Sequence, residues 1–353
     1  MVGIGAGALL APTLSGCLSS NTEQNAARAL RSRMVIHAGH DKRPSDKANL
    51  MQELIRYATL APSSHNTQCW RFQVSEKSIS IAPDESRRCP AVDPDDHHLF
   101  VSLGCAAENL AQAALANGLH AEAQFDPAGA GRIAINLEST KLPIPSSPSP
   151  LFQAITERQC TRGDYDGQAI SLPELRLLAQ AGTGDGVRIE LITARPMMES
   201  VLEYVAAGNS KQMNDSAFVG ELKSWIRFGA DEALRTGDGL FTGASGNPVM
   251  PRWLGSRLMR LFFTAKSENQ RYAKQIRNAA GIAVFVSETN DRAQWVEAGR
   301  CYERFALQAT ALGIRNAFLN QPVEVAAVRP QFASWLGLRH GERPDLVVRF
   351  GRP

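Results

Sequence analysis

Apolar residues recur at helical spacing from Leu50 to Leu60 and stop at Ala61-Pro62-Ser63-Ser64, a composition that favours a turn over another helical turn. Short β-type runs at Trp70–Val74 and Ser78–Ala82 predict strands. Asp93-Pro94-Asp95-Asp96 predicts a helix start, because carboxylates complement the free N–H groups and the positive dipole end there. That helix runs to about Gly118, and strands fit at Ala121–Phe125 and Arg132–Leu137. Lys141–Pro150 holds four prolines in ten residues and reads as an extended connector. Beyond it, helices are predicted at Leu151–Glu157, Pro173–Ala181, Met197–Ala206 and Ser216–Phe228, and strands at Val187–Thr193, Ile282–Ser287 and Leu346–Phe350. Gly229–Arg252 has little periodicity and reads as a lid or a disordered loop, while Trp253–Phe263 suits a helix packed on one face.

An internal repeat divides the chain. Gly104–Leu119 (GCAAENLAQAALANGL) and Gly299–Ile314 (GRCYERFALQATALGI) each carry glycines fourteen positions apart. They also share Glu108/Glu303, Ala111/Ala306, Ala114/Ala309 and Ala116/Ala311. Two unrelated alanine-rich helices would share alanines, since alanine is the best helix former. Matching terminal glycines and a matching glutamate point instead to one half-domain used twice about a pseudo-twofold axis.

Composition narrows the function. The 353 residues are 44% hydrophobic and 21% charged, enough for a packed core and too apolar for a mainly disordered chain. A net charge of +3, with 7% aromatic residues, gives nucleic acid neither a basic face nor a stacking platform. Six cysteines form no C-x-x-C pair, which excludes a zinc module or a disulfide scaffold of the usual spacing. At the front, uncharged Val2–Gly16 ends in Leu14-Ser15-Gly16-Cys17, which resembles a bacterial lipobox with Cys17 as the acylated residue. The first Lys or Arg is Arg28, so a basic leading segment would lie upstream of Met1 or be missing. The expectation is export to the periplasm or a membrane-anchored lipoprotein, with a cytoplasmic protein as the alternative. Gly3-Ile4-Gly5-Ala6-Gly7 has no strand before it and is not a dinucleotide fingerprint.

The densest chemistry lies in Ala61-Pro62-Ser63-Ser64-His65-Asn66-Thr67-Gln68-Cys69-Trp70. A helix stopped by proline frees loop N–H groups and serine hydroxyls, and side-chain amides both donate and accept. That set suits the polar edge of a flat heterocycle, although an Asx/Ser turn with Trp70 in the core uses the same residues. With Arg71-Phe72, the string resembles the flavin-contacting loop of the nitroreductase family, A-P-S-x-x-N-x-Q-P-W-x-F, with Cys69 in place of proline. Arg158-Gln159-Cys160-Thr161-Arg162 resembles that family's phosphate motif R-x-[ST]-x-[RK], with Cys160, a poorer donor, at the hydroxyl position and Thr161 or backbone N–H groups as its substitute. Taken alone, it reads by default as a surface basic turn; its place after the linker, with Tyr165-Asp166-Gly167 behind it, favours the functional reading. Gly313–Glu324 matches the family's loop near the flavin, placing Asn320, Gln321 and Pro322 there. The chain stops at Pro353, so either Arg349 or Arg352 takes the role of the family's terminal phosphate contact, or Arg158 and Arg162 hold the phosphate without it.

The whole pattern most resembles the Acg-type subgroup, in which two nitroreductase halves are fused in one chain. The resemblance implies an α+β fold with antiparallel-rich sheets and long central helices in each half. It divides the chain into a signal and tether at 1–35, a first half at 36–140, a linker at 141–150, and a second half at 151–353 with a lid near 229–263. The implied site residues are Pro62, Ser63, Ser64, Asn66, Gln68, Arg158, Cys160, Thr161, Arg162, Asn320, Gln321, Pro322 and Arg349. They imply one FMN between the halves, with the partner site degraded and empty, NAD(P)H or another donor, and a nitro, quinone or similar acceptor. The chain is then a monomer that is its own pseudo-dimer. A flavin-sequestering protein without turnover, or a lipid-anchored scaffold without cofactor, are the alternatives. His97-His98 among Asp93, Asp95 and Asp96 reads as a helix N-terminal turn, and Glu108 and Glu303 as exposed or interface carboxylates. G-x-S-x-G is absent, so nothing argues for a hydrolase.

Overall fold

The computed structural model describes residues 47–128, 131–140, 149–245 and 248–353. The apolar front with Cys17, the tether, and 141–148 of the connector lie outside the described residues. The first half runs α1 (Lys47–Ala58), β1 (Trp70–Val74), β2 (Ser78–Pro83), α2 (His97–Ala116), β3 (Leu119–Asp126) and β4 (Arg132–Ser139). Its strands form one antiparallel sheet in the order β1-β2-β4-β3. The second half begins with α3 (Pro150–Ala154), α4 (Leu172–Ala181) and β5 (Val187–Ile192). After a long insertion it continues with β8 (Gly281–Ser287), α10 (Arg292–Ala311), β9 (Arg315–Phe318), α11 (Gln321–Glu324), α12 (Arg329–Trp335) and β10 (Arg343–Gly351). Its antiparallel sheet has the order β5-β8-β10-β9, the same path traced a second time.

The glycines of the repeat explain how the copies meet. A Cβ on Gly104 would stand 2.0 Å from the carbonyl oxygen of Val296, and one on Gly299 would stand 2.0 Å from that of Val101. Val296 is Val101 carried forward by the same 195 positions that carry Gly104 to Gly299, so α2 and α10 cross with reciprocal contacts. The closing glycines serve differently: Gly118 (φ +74°) and Gly313 (φ +71°) take the left-handed conformation that ends each helix and turns the chain into a strand. Although α2 is apolar and 20 residues long, it is buried as the core helix.

The two sheets are covered differently. Along β4, Ile133, Ile135 and Leu137 point into the core while their neighbours stay in partial contact with solvent, the alternation of a sheet packed on one face. β8 is buried at every position. Its Ala283 and Phe285 join the core around α2 and α10, whereas Ile282, Val284 and Val286 pack with Met198, Val201 and Val205 of the insertion. That insertion occupies 193–280, where the first half has only the Ser75–Lys77 turn. It holds α5 (Arg195–Asn214), α6 (Ser216–Trp225), β6 (Ile226–Arg227), α7 (Ala230–Thr236), β7 (Leu240–Phe241), α8 (Arg252–Phe262) and α9 (Ala265–Arg277).

The expected lid at 229–263 is therefore corrected in extent: it belongs to a segment that begins at 193, and α7 lies within the stretch 229–252 that was expected to be irregular, while the helix expected at 253–263 is α8. The helix expected to end at Ala206 runs on to Asn214, and the one expected to reach Phe228 stops at Trp225. Glu108 and Glu303 are buried at the interface of the halves. Glu108 lies 3.3 Å from Arg300 and 2.9 Å from Arg304, and Glu303 lies 3.2 Å from Arg158.

Candidate functional site

Unrelaxed backbone is concentrated in the loop between α1 and β1. Thr59, Leu60 and Ala61 close the helix with N–H bonds of 2.9–3.1 Å to Ile55, Tyr57 and Ala58, and Pro62 stops it. His65 (φ +47°), Asn66 (φ +53°) and Gln68 (φ +54°) then take the left-handed conformation, at about 1–2 kcal/mol for each non-glycine residue. Cross-links hold them. The N–H groups of Asn66 and Thr67 donate to Ser63 and Ser64 carbonyls at 2.9 Å. Gln68 N–H donates to Ser63 Oγ at 2.9 Å, and Ser64 N–H to Ser102 Oγ on α2 at 3.3 Å. Backbone strain kept in place by such bonds is characteristic of functional loops.

The basic segment 158–162 lies across the interface from this loop. Cys160 bridges to Asn316 in β9, and Thr161 N–H donates to the Asn316 carbonyl at 2.9 Å, so the segment is fixed as a strand edge. Both segments line one cavity of about 630 Å³, a size usual for small-molecule sites. Its walls include Pro62, Ser63, Ser64, Asn66, Gln68, Arg158, Cys160, Arg162, Asn320 and Gln321. Thr161, Pro322 and Arg349 are not among its lining residues. Arg352 donates to the Leu312 carbonyl at 2.9 Å and pairs with Glu174 at 2.6 Å, which leaves Arg349 as the C-terminal arginine nearer the basic segment.

The arginines divide into engaged and free. Arg158 donates to the Leu60 carbonyl at 3.0 Å and sits beside Glu303. Burial pulls its guanidinium down, but the Glu303 carboxylate outweighs this and holds it charged. Burial in turn pushes Glu303 up to about 7, with Arg158 opposing. Among the described residues, the Arg162 guanidinium has no hydrogen-bond or ion-pair partner. Arg349 donates to the Thr161 and Gly163 carbonyls at 3.3 and 2.8 Å and lies 4.2 Å over the Tyr165 ring. Its Nε and Nη1 are buried without partners, as are Thr161 Oγ1 and Arg271 Nε. Burial lowers Arg349 below its ordinary value, and the nearby Arg271 and Arg162 add to the effect. Cations set close together beside unpaired donors form a site for an anion.

The insertion supplies walls that no motif announced. Asn209, Gln212, Phe218, Leu222, Glu268, Arg271 and Tyr272 all line the cavity. Gln212 donates to Glu324 at 2.6 Å, and Gln321 donates to the Tyr272 hydroxyl at 2.6 Å. The signal for these residues was polar side chains at buried helical positions, such as Asn209 and Gln212 on α5. The cover also closes on the loop: Asn66 Nδ2 donates to the Gly239 carbonyl at 3.0 Å, and Gln68 Nε2 donates to that of Gly237.

A buried polar chain reaches the cavity from the second sheet. Asp93 accepts from the His98 and Leu99 N–H groups at 3.0 and 2.9 Å, so Asp93–His98 is indeed a helix start. His97 Nε2 lies 2.9 Å from Asp345 Oδ1, and Ser287 donates to Oδ2 at 2.5 Å. Asn320 Oδ1 accepts from Val347 N–H at 3.0 Å, so its Nδ2 faces His98 Nε2, 3.1 Å away, as a donor. His98 must then carry its proton on Nδ1, which faces His97 Nδ1 at 3.3 Å. Burial pushes Asp345 up to about 7 and His97 well below its ordinary value.

No family model matches the chain. Over 307 residues (86% of this chain and 85% of the relative) it is 24% identical to a protein of Mycobacterium tuberculosis H37Rv provisionally named NAD(P)H nitroreductase Rv3131. Over 329 residues (86% and 89%) it is 23% identical to one provisionally named NAD(P)H nitroreductase acg. Among solved structures it is similar to an FMN-bound nitroreductase of Bacteroides fragilis, with 14% identity, 58% of this chain, 88% of that chain and a TM-score of 0.36. It is also similar to the nitroreductase NfnB of Mycobacterium smegmatis in complex with NADPH, with 13% identity, 57% and 87% coverage and a TM-score of 0.37. Scores that low carry no argument about the site. The sequence relatives are of the kind that the motifs resemble.

Proposed function

We propose that this chain, a relative of the NAD(P)H nitroreductases with an α+β pseudo-dimeric fold, is an oxidoreductase. It would hold one FMN between its halves and pass electrons from NAD(P)H to a small nitro, quinone or similar acceptor. The observation that carries the reading is the set of unsatisfied donors around the basic segment: Arg162, Thr161 Oγ1, Arg271 Nε and two nitrogens of Arg349. A phosphate dianion in the cavity would meet Arg162 and Arg271, which line it, with Thr161 and Arg349 behind them, and the cavity that continues toward Ser63 and Ser64 suits the rest of a flavin mononucleotide. When bound, FMN supplies reversible two-electron chemistry.

The chain's own work is then binding and exclusion of water. Arg162 and Arg271 would hold the phosphate, with Arg349 and Thr161 behind them, while Arg158 stays engaged with Glu303 and braces the loop through Leu60. The hydroxyls of Ser63 and Ser64 and the amides of Gln321 and Asn320 would meet polar edges. Phe218, Leu222, Phe318 and Leu346 supply apolar walls. The test is to offer FMN to the purified protein, record absorbance between 350 and 500 nm, and follow NADH or NADPH oxidation with a nitroaromatic present. A colourless protein after FMN exposure would end the reading.

A second reading, flavin retention without turnover, draws on the bonds from Asn66 and Gln68 to Gly239 and Gly237, which close the cover over the loop. It requires a flavin that dithionite reduces and nicotinamide does not. We carry export and acylation at Cys17 as a separate proposal that rests on the lipobox alone.

A further inference from the structure

We propose that His65, Cys89 and Glu221 form a binding site for a divalent zinc-type cation that fastens the insertion to the strained loop. A ring nitrogen of His65, Cys89 Sγ and a Glu221 carboxylate oxygen all lie within 4.8 Å of one another. They come from three places: the left-handed loop, the segment before α2, and α6 of the insertion. Tetrahedral ligands at zinc bond lengths of about 2.0–2.3 Å stand roughly 3.3–3.8 Å apart, so from separations within 4.8 Å the site needs to tighten by at most about 1–1.5 Å.

Two further features point to a missing partner. Nε2 of His65 is buried with no hydrogen bond, on a residue whose backbone is held at φ +47°. The Glu221 carboxylate is already oriented, accepting from Ala91 and Val92 N–H at 2.9 and 3.2 Å, as second-shell bonds orient metal ligands. Cys89 is buried beside it, and burial together with the Glu221 charge keeps its thiol protonated while no cation is present. One nitrogen, one sulfur and one oxygen suit a borderline ion such as Zn²⁺.

The other close histidine–carboxylate group, Asp93, His97 and His98, offers no such vacancy. Its members are engaged by backbone N–H groups, Asp345 and Asn320. At the proposed site, binding forms a zinc–thiolate bond and releases the Cys89 proton to solvent. A water molecule completes the fourth position. The inference does not depend on flavin binding.

The test uses the full protein, stripped with chelator, given one equivalent of ZnCl₂ and dialysed. Expected results are close to one bound zinc per chain by elemental analysis, and a zinc-edge absorption spectrum with one sulfur at about 2.3 Å and the remaining ligands nitrogen or oxygen. Cys89→Ser should lose the sulfur signal and weaken zinc at least about 100-fold in competition with a chromophoric chelator. Glu221→Gln, whose single carbonyl oxygen can still accept from one of the Ala91 and Val92 N–H groups, should weaken it at least about 10-fold. Cys301→Ser should change neither. Less than a tenth of an equivalent retained by the wild type would overturn the site. So would a spectrum without sulfur, or equal affinity in wild type and Glu221→Gln with unchanged circular dichroism.

Discussion

Adding one methyl group where α2 crosses α10 should test the pseudo-twofold interface directly. In Gly104→Ala the new Cβ would stand 2.0 Å from the Val296 carbonyl oxygen, a backbone atom that no rotamer change can move. Reaching ordinary contact at 3.4 Å means parting the helices by roughly 1.4 Å there. A gap of 0.5–1 Å already forfeits a quarter to a half of a dispersion contact. Overpacking of this kind costs about 1–3 kcal/mol and more when the obstacle is rigid. The helix preference of alanine over glycine returns about 1 kcal/mol. At the upper end of that range the net expectation is a loss of about 2 kcal/mol or more, a fall in Tm of roughly 3 °C or more for a chain of this length. Gly299→Ala should behave alike, because its Cβ meets the Val101 carbonyl at the same 2.0 Å. The double variant should lose less than the sum, since one separation relieves both clashes. Gly220→Ala, in α6 with nothing within 4 Å, should instead stabilise slightly. Urea unfolding followed by circular dichroism reads all four. If Gly104→Ala gains stability as Gly220→Ala does, the reciprocal crossing is wrong. The cavity spans the same interface, so the Gly104 variant should also retain FMN more weakly.

Arg162→Ala and Arg271→Ala should each weaken FMN binding about 10–100-fold, one charge-assisted bond of about 1.5–3 kcal/mol, measured by flavin fluorescence quenching. Unchanged affinity in both would remove the anion site. Glu303 carries a folded-state pKa raised to about 7, above its unfolded value. Its stabilising contribution is therefore complete below about pH 4.5 and is lost as pH rises toward 7, with a slope of at most about 1.4 kcal/mol per unit. Glu303→Gln should remove that slope in urea titrations at pH 4.5, 5.5 and 7, and an identical profile would refute the assignment. His97 and Asp345 shift in opposite directions, so their contributions to the pH slope oppose each other. Cys17→Ala should abolish palmitate labelling and membrane association of the full-length chain. Soluble wild-type protein would dismiss the lipobox reading.

Local chemistry was legible in the sequence wherever one short segment holds it. The strand at Trp70–Val74 was read to the residue because Trp70, Phe72 and Val74 alternate with polar residues. The loop at 62–68 and the segment at 158–162 could be named, and they line the same cavity, because each concentrates unusual residue types in a few positions. What escaped the reading depends on long-range contact. Arg271 and Tyr272 sit in a polar helix, and only its packing on the second sheet turns them toward the cavity. Arg158 looked like a free phosphate ligand, yet its partner Glu303 is 145 positions away. The insertion was underestimated because α5 and α9 begin before and end after the glycine-rich stretch that drew attention.

The same repeat explains why a duplicated fold should keep one site. Carried forward by 195 positions, Ser102 and Cys105, which line the cavity from α2, become Glu297 and Arg300 on α10. Small groups that leave room on one side are thus large charged ones on the other. The loop at the corresponding place after α4 is only Gly182–Gly186, against the longer loop of the first half. A Cβ on Gly184 would meet Glu297 at 2.4 Å, Cys301 at 2.5 Å and Arg304 at 2.9 Å. Arg304 bonds Glu108 at 2.9 Å and Glu297 at 3.2 Å, so the symmetry-related position is filled by an ion-pair network instead of standing empty. Glu108 and Glu303, the same residue of the repeat, have taken different partners: one closes its side with arginines from α10, and the other holds Arg158 against the loop. Restoring a second cavity would require undoing Glu297, Arg300 and Arg304 together, because removing one would weaken the pairing of the part-buried others and of the buried Glu108. The asymmetry is therefore locked by electrostatics as much as by lost motif residues.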